Sequence, residues 1–140
     1  MFLKGDRPKY FNKKPLMIPS KHGGKILTGG ASRNTDGTTQ KSRAMMINIM
    51  KCRGTIWEYM NGGDKDKIKR KHPATFPNKL AEDSILCFSK ENDIVYDPMA
   101  GSGTTGIQAI RNNRRWVMSE ISEEYCQIIR ERQEQIKIQL

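Results

Sequence analysis

The chain has no apolar run near the roughly 18 residues that a membrane-spanning helix requires, and its start, MFLKGDRPKYFNKK, lacks the apolar core of a secretory signal. Both absences lead to the expectation of a cytoplasmic protein with no membrane partner. Cysteine is scarce. Cys52, Cys87 and Cys126 are widely spaced and form no C-x-x-C pair, which speaks against a disulfide framework or a metal site of the usual zinc spacing. Free, mostly buried thiols are expected instead. Apolar content is also low, 36% of 140 residues with a mean hydropathy of −0.72, so at most one domain with a thin core is anticipated, and folding in isolation is not assured. Internal repeats are absent.

What is present in excess is positive charge, and it is unevenly placed. Residues 1–71 hold 17 Lys and Arg against 5 Asp and Glu, a net +12, whereas residues 72–140 hold 8 against 10, a net −2. Nine of the twelve glycines also fall in the first part, where KHGGKILTGGASRNTDGTTQKSRA reads as loops and turns. A cationic, loop-rich surface is what a phosphodiester backbone attracts, although a solvated lysine-rich face is the plainer alternative. Arg33, Lys41, Arg43 and Arg53 are the candidates for phosphate contact.

Residues 72–140 show regular organisation. Leu80, Ala81, Ile85 and Phe88 share one helical face, with Pro77 near the start, predicting a helix over about 77–89. NDIVYDP predicts a short strand centred on Ile94, Val95 and Tyr96; glycines then lead into a helix carrying Ile107, Ala109 and Ile110. A second strand is predicted over Trp116–Ser119, with Trp116 in the core, and it ends at Glu120. Ser122 has the character of an N-cap with Glu123 and Glu124 in the first turn, and Ile121 is placed to staple against Cys126. The last helix is expected to run from about Glu123 through Tyr125, Ile128, Ile129 and Arg132, with Tyr125, Ile128 and Ile129 as an ordinary packing stripe. The order of helix, strand, glycine loop, helix, strand, acid and helix is that of a βαβ unit.

The loop Gly101-x-Gly103-x-x-Gly106 raises the question of its ligand. A Walker A loop is excluded, because Ile107 and Gln108 stand where Lys and Ser or Thr are required. A dinucleotide remains compatible with the pattern, since the glycines follow a strand, open a helix and precede an acid, Glu120, near the ribose-binding offset. Asp97 at the strand end favours a different ligand, because a carboxylate repels a pyrophosphate and attracts a cation. S-adenosylmethionine, with cationic sulfonium and ammonium groups and no phosphate, suits that charge.

Taken together, HPATFP (His72–Pro77), the helix after it, DPMAGSGTTG and SEISEEYC resemble the C-terminal half of the DNA amino-methyltransferases that act on adenine N6 or cytosine N4, in the beta-group order of motifs. The resemblance is dense over residues 55–132 and extends, more weakly, to GTIWEY and the basic loop before it, which resemble the end of the target-recognition region. It implies an α/β fold, a partial Rossmann-like S-adenosylmethionine-dependent methyltransferase fold with a basic, loop-rich N-terminal segment. It further implies a target-recognition part within 1–71 and a cofactor-binding βαβ half-domain over 72–140. By the resemblance, Asp97 and the loop Pro98, Met99, Ala100, Gly101, Ser102, Gly103, Thr104 and Thr105 surround the methionine part of the cofactor. Glu120 takes the ribose hydroxyls, and His72, Thr75 and Phe76 line the methionine end. Met99 departs from the family's usual Phe.

A second departure concerns the chemistry. The family makes the exocyclic amine of a flipped base nucleophilic with an Asp/Asn/Ser-Pro-Pro-aromatic motif. All six prolines here, Pro8, Pro15, Pro19, Pro73, Pro77 and Pro98, are isolated. No catalytic residue is therefore assigned, and the catalytic half is expected outside these residues. DNA is the expected partner, together with a separate catalytic half or a second copy of the chain. A non-catalytic nucleic-acid-binding remnant is the alternative.

Overall fold

The computed structural model describes residues 8–41, 44–60 and 66–139. The chain falls into two compact units, Leu16–Ile56 and a second made of Met1–Pro15 with Trp57–Leu140. Compactness thus divides the chain at 15/16 and 56/57 rather than at 71/72. Tyr59 and Asp66 bond to the helices that follow them: the Tyr59 hydroxyl donates to Asp83 at 2.9 Å, and Asp66 pairs with Arg132 at 2.9 Å.

In the unit Leu16–Ile56, six short strands thread the expected loops: β1 (Met17–Pro19), β2 (Ile26–Leu27), β3 (Ala31–Arg33), β4 (Thr39–Lys41), β5 (Met45–Met46) and β6 (Met50–Cys52). They pair antiparallel as β1 with β6, β2 with β5 and β3 with β4. The three pairs are nested in sequence, in the order of a two-stranded hairpin ribbon. Its tip is a turn in which the Asn34 amide donates to the Thr38 carbonyl while the Asp36 carboxylate accepts from both the amide and the hydroxyl of Thr38. Each strand is two or three residues long, and every strand residue except Met17 is exposed. No alternation of apolar and polar residues therefore announced them, and cross-strand hydrogen bonds carry the ribbon.

The other unit follows the predicted order. It contains α1 (Asn78–Phe88), β7 (Ile94–Asp97), α2 (Thr104–Arg111), β8 (Arg115–Met118) and α3 (Glu123–Gln139), with a 3-10 turn at Lys69–Lys71 ahead of them. β7 and β8 are parallel, with Ile94 opposite Arg115 and Asp97 opposite Met118. The core lies among the helices: Ala81, Ile85 and Cys87 on α1, Ile107 and Ala109 on α2, and Ile128, Ile129 and Ile136 on α3 are all buried. Arg114 ties the end of α1 to the start of β8, donating to the Ser89 carbonyl at 2.7 Å and to its hydroxyl at 3.2 Å, where a cation suits the C-terminal end of a helix.

Several local expectations change. Ile121 is fully exposed and makes no staple; the Cys126 thiol instead donates to the Glu120 carbonyl at 3.7 Å. Ser122 does cap α3, accepting from the Tyr125 amide at 3.4 Å. Of the thiols, only Cys87 is buried, Cys126 is half-buried and Cys52 is exposed. Trp116 is 38% exposed rather than in the core. The cause is the narrowness of the sheet: parallel strands are normally covered on both faces, yet Ile94, Tyr96 and Val117 are 57%, 61% and 50% exposed. Among the described residues, no helix is long and apolar enough to cross a membrane, and no cluster of three or more His, Cys, Asp and Glu could hold a metal ion.

Candidate functional site

The site is built where the two parallel strands end. β7 delivers Asp97, and the chain turns through Pro98–Gly103 into α2; β8 delivers Ser119 and Glu120 beside that turn. The Ser119 amide donates to the Asp97 carbonyl at 2.9 Å, and the Ala100 amide donates back to the Ser119 carbonyl at 3.0 Å, so the loop is laced across the end of β8. The Gly101 amide then donates to the Glu120 carboxylate at 2.7 Å. The glycine loop and the acid that lies nineteen positions later are therefore in direct contact.

The glycines are required by this geometry. Gly101 has φ +53°, and a Cβ there would stand 3.1 Å from His72 Nε2. Gly103 has φ +74°, and a Cβ there would come within 2.8 Å of Ile129 on α3. His72 reaches the loop because the turn at Lys69–Lys71 aims it there. Its Nδ1 accepts from the Ala74 amide at 3.1 Å, its Nε2 faces Gly101, and its ring lies 4.2 Å from that of Tyr125. Lys69, itself buried, steadies the segment after His72 by donating to the Phe76 carbonyl at 2.7 Å and to Asn78 Oδ1 at 3.0 Å.

Glu120 is anionic in this setting. The Ser122 amide, at 3.0 Å, outweighs a small desolvation cost and, with the Gly101 and Ile121 amides and the nearby His72 ring, holds its carboxyl below the usual glutamate range. Asp97, half-buried, accepts from the Met99 amide at 3.1 Å. The amides of Met99, Ala100, Gly101 and Gly103 are thus all bonded within the protein, to Asp97, Ser119, Glu120 and Ala100 respectively. An amide cradle for a pyrophosphate is what a dinucleotide needs, and this loop spends those donors internally. Two carboxylates at adjacent strand ends instead suit a ligand that is cationic at one end and rich in hydroxyls at the other.

The cofactor residues expected from the sequence are divided by the fold. Asp97, Pro98, Met99, Gly101, Glu120 and His72 gather at the strand ends, with Pro98 and Met99 exposed. Ala100, Ser102 and Thr104 turn their side chains into the protein, so only backbone is offered there. Thr75 is exposed on the segment leading to α1. Phe76 and Thr105 help line a groove of about 460 Å³ beside β7, with Leu80, Phe88, Val95 and Tyr96. In the ribbon, Arg33 and Lys41 are exposed and fall on one face, since Lys41 lies opposite Ala31 and Arg33 opposite Thr39. Arg53 is half-buried beside Leu16, whose carbonyl accepts its amide at 2.9 Å, and Arg43 lies outside the described residues. Sequence reasoning missed Asp66 and Lys69 altogether. The sequence reading gave Arg132 no role, although its spacing of three and four residues from Ile129 and Ile128 is a signal that could have found a buried, partnered charge.

The profile of the DNA methylase family matches residues 2–131. The chain belongs to the DNA methylase family. The orphan methyltransferase M.BamHII of Bacillus amyloliquefaciens is 45% identical over 138 residues, covering 94% of this chain and 51% of that protein. The DNA adenine methyltransferase YhdJ of Escherichia coli (strain K12) is 30% identical over 128 residues, or 91% of this chain and 41% of that protein. Among solved structures, PvuII DNA methyltransferase (cytosine-N4-specific) superposes with a TM-score of 0.54 at 30% identity, covering 58% of this chain and 32% of that one. The fold is that of the α/β methyltransferases, and the family's methyl donor is S-adenosylmethionine. The chain spans about half the length of the M.BamHII protein it matches.

Proposed function

We propose that this chain supplies the cofactor-binding part and a DNA-contacting part of a cytoplasmic DNA amino-methyltransferase. The observation that carries the reading is the bond between Glu120 and the Gly101 amide, which joins an ionised acid to the glycine loop and leaves other carboxylate lone pairs for ribose hydroxyls. Asp97 faces the cationic methionine end, Gly101 keeps the approach open, and the His72 Nε2 borders the same space. The bound donor supplies an electrophilic methyl group on a sulfonium sulfur. Activation of the acceptor amine belongs to a Pro-Pro motif outside these 140 residues, and the half-exposed faces of Ile94, Tyr96 and Val117 suit the further segment that would bring it.

The ribbon fits the DNA-contacting role, because a two-stranded β-ribbon has the section that the major groove admits, and Arg33 and Lys41 share one face near its tip. We read adenine N6 as the target rather than cytosine N4. In sequence, YhdJ, named as an adenine enzyme, aligns along 91% of the chain at 30% identity, whereas M.PvuII, named in its solved structure as cytosine-N4-specific, aligns along 39% at 44% identity.

Calorimetric titration of the chain with S-adenosylmethionine tests the reading. Saturable binding that Glu120→Ala abolishes is expected. A folded chain that binds DNA but ignores the methyl donor would instead favour a nucleic-acid-binding remnant.

A further inference from the structure

Arg132 lies on α3 and is only 2% exposed, among Ile128, Ile129 and Ile136. A cation so placed costs several kcal/mol of desolvation unless it is bonded on all sides, and its bonds run to the site. Its Nη1 donates to the Ser102 carbonyl and, at 3.4 Å, to the Thr104 hydroxyl, gripping the glycine loop on both sides of Gly103. Its Nε donates to Asp66 Oδ2 at 2.9 Å. The other oxygen of Asp66 accepts from the Lys69 amide at 3.0 Å, starting the turn that delivers His72 to Gly101. Burial pushes the Asp66 carboxyl up, but the Lys69 amide and the Arg132 guanidinium more than offset this and keep it ionised. One guanidinium therefore spans both walls of the candidate cofactor site from behind.

We propose that Arg132, with Asp66 as its counter-ion, is a positioning residue that presets the cofactor site by fixing the glycine loop and the His72 turn relative to each other. A loop set before binding spares the ligand the cost of ordering it. The planar fork of arginine suits this task because it serves a carbonyl, a hydroxyl and a carboxylate from one head, which a lysine ammonium at the same place does not do in a single orientation. The inference rests on the S-adenosylmethionine reading for its ligand, though the preset loop is a property of the protein alone.

The test compares the unaltered chain with Arg132→Met, Arg132→Lys and Asp66→Asn by two measurements, calorimetric titration with S-adenosylmethionine and amide hydrogen exchange without it. Arg132→Met is expected to weaken binding about tenfold or more and to speed exchange at Gly101 and Gly103 ahead of α1. Arg132→Lys should recover part of both effects, and Asp66→Asn should show smaller ones. A folded Arg132→Met chain with unaltered affinity and exchange would overturn the inference. Should that variant fail to fold, unaltered values for both Arg132→Lys and Asp66→Asn would overturn it equally. If the unaltered chain ignores the methyl donor, the functional reading falls, while the exchange comparison still decides whether Arg132 presets the loop.

Discussion

Both units of this chain contain a two-stranded β arrangement, and the two are stabilised in opposite ways. The ribbon of Leu16–Ile56 is antiparallel, closes by local turns and exposes nearly every strand side chain, including Ile26, Leu27, Met45 and Met46. The pair β7 and β8 is parallel, so a helix must return the chain between the strands, and that helix buries Ile107 and Ala109 against its neighbours. A ribbon can form from backbone bonds and turn chemistry, whereas a parallel pair requires a hydrophobic layer. Position-specific charge is therefore free to vary on the ribbon, and the chemistry of the candidate site is confined to the unit with the core.

The sharpest way to break this contrast is to truncate one apolar residue in each. Ile107→Ala should destabilise its unit by about 2–5 kcal/mol in denaturant unfolding, through reduced burial and the cavity left behind. Leu27→Ala, on a 57% exposed strand position, should stay within about 0.5 kcal/mol. Equal destabilisation would mean that the ribbon has an apolar core of its own.

The second experiment crosses the two functions. Arg33→Ala with Lys41→Ala should reduce the slope of log affinity for duplex DNA against log salt by about 0.9 for each phosphate that is no longer neutralised, and leave methyl-donor binding intact. Glu120→Ala should do the reverse. A variant that moves both readouts would show the division of labour to be wrong.

The smallest effect is in pH dependence, and it compares one carboxyl from each unit. Glu120 is held below the usual glutamate range by the Ser122 amide first, and Asp36 at the ribbon tip is held below the usual aspartate range by the Thr38 hydroxyl and amide. A depressed carboxyl contributes stability that is present above its unfolded pKa and is lost as pH falls through the folded one. Carboxyl titration by NMR should therefore show both groups still ionised where free carboxylates protonate. Methyl-donor affinity should hold until the pH passes below the glutamate range. Ordinary titration of either group would remove the clasp inferred at that position.

Legibility followed the same division. The helices and strands after Pro77 could be read to within a residue or so, because apolar spacing, the glycines and the Ser122 cap all reported on burial that does occur. Ile121 and Trp116 misled for a related reason: a staple and a core strand were read from residue type, yet among the described residues the strand pair has no third strand to cover it. The ribbon left no pattern, since exposed strands of two or three residues impose no choice of apolar or polar side chain.

By itself the sequence determined the βαβ order, the glycine positions, the acid after the second strand and the absence of a Pro-Pro motif, since each depends on neighbours within a few residues. Only the tertiary structure decided that the Gly101 amide meets Glu120, that His72 faces the loop, that Arg132 grips it from behind and that the basic segment is a ribbon. Those facts join residues from nineteen to thirty positions apart, or strands paired in nested order. Contacts at such separations are set by how surfaces pack and by which polar groups must be satisfied once buried, and local pattern carries no record of either.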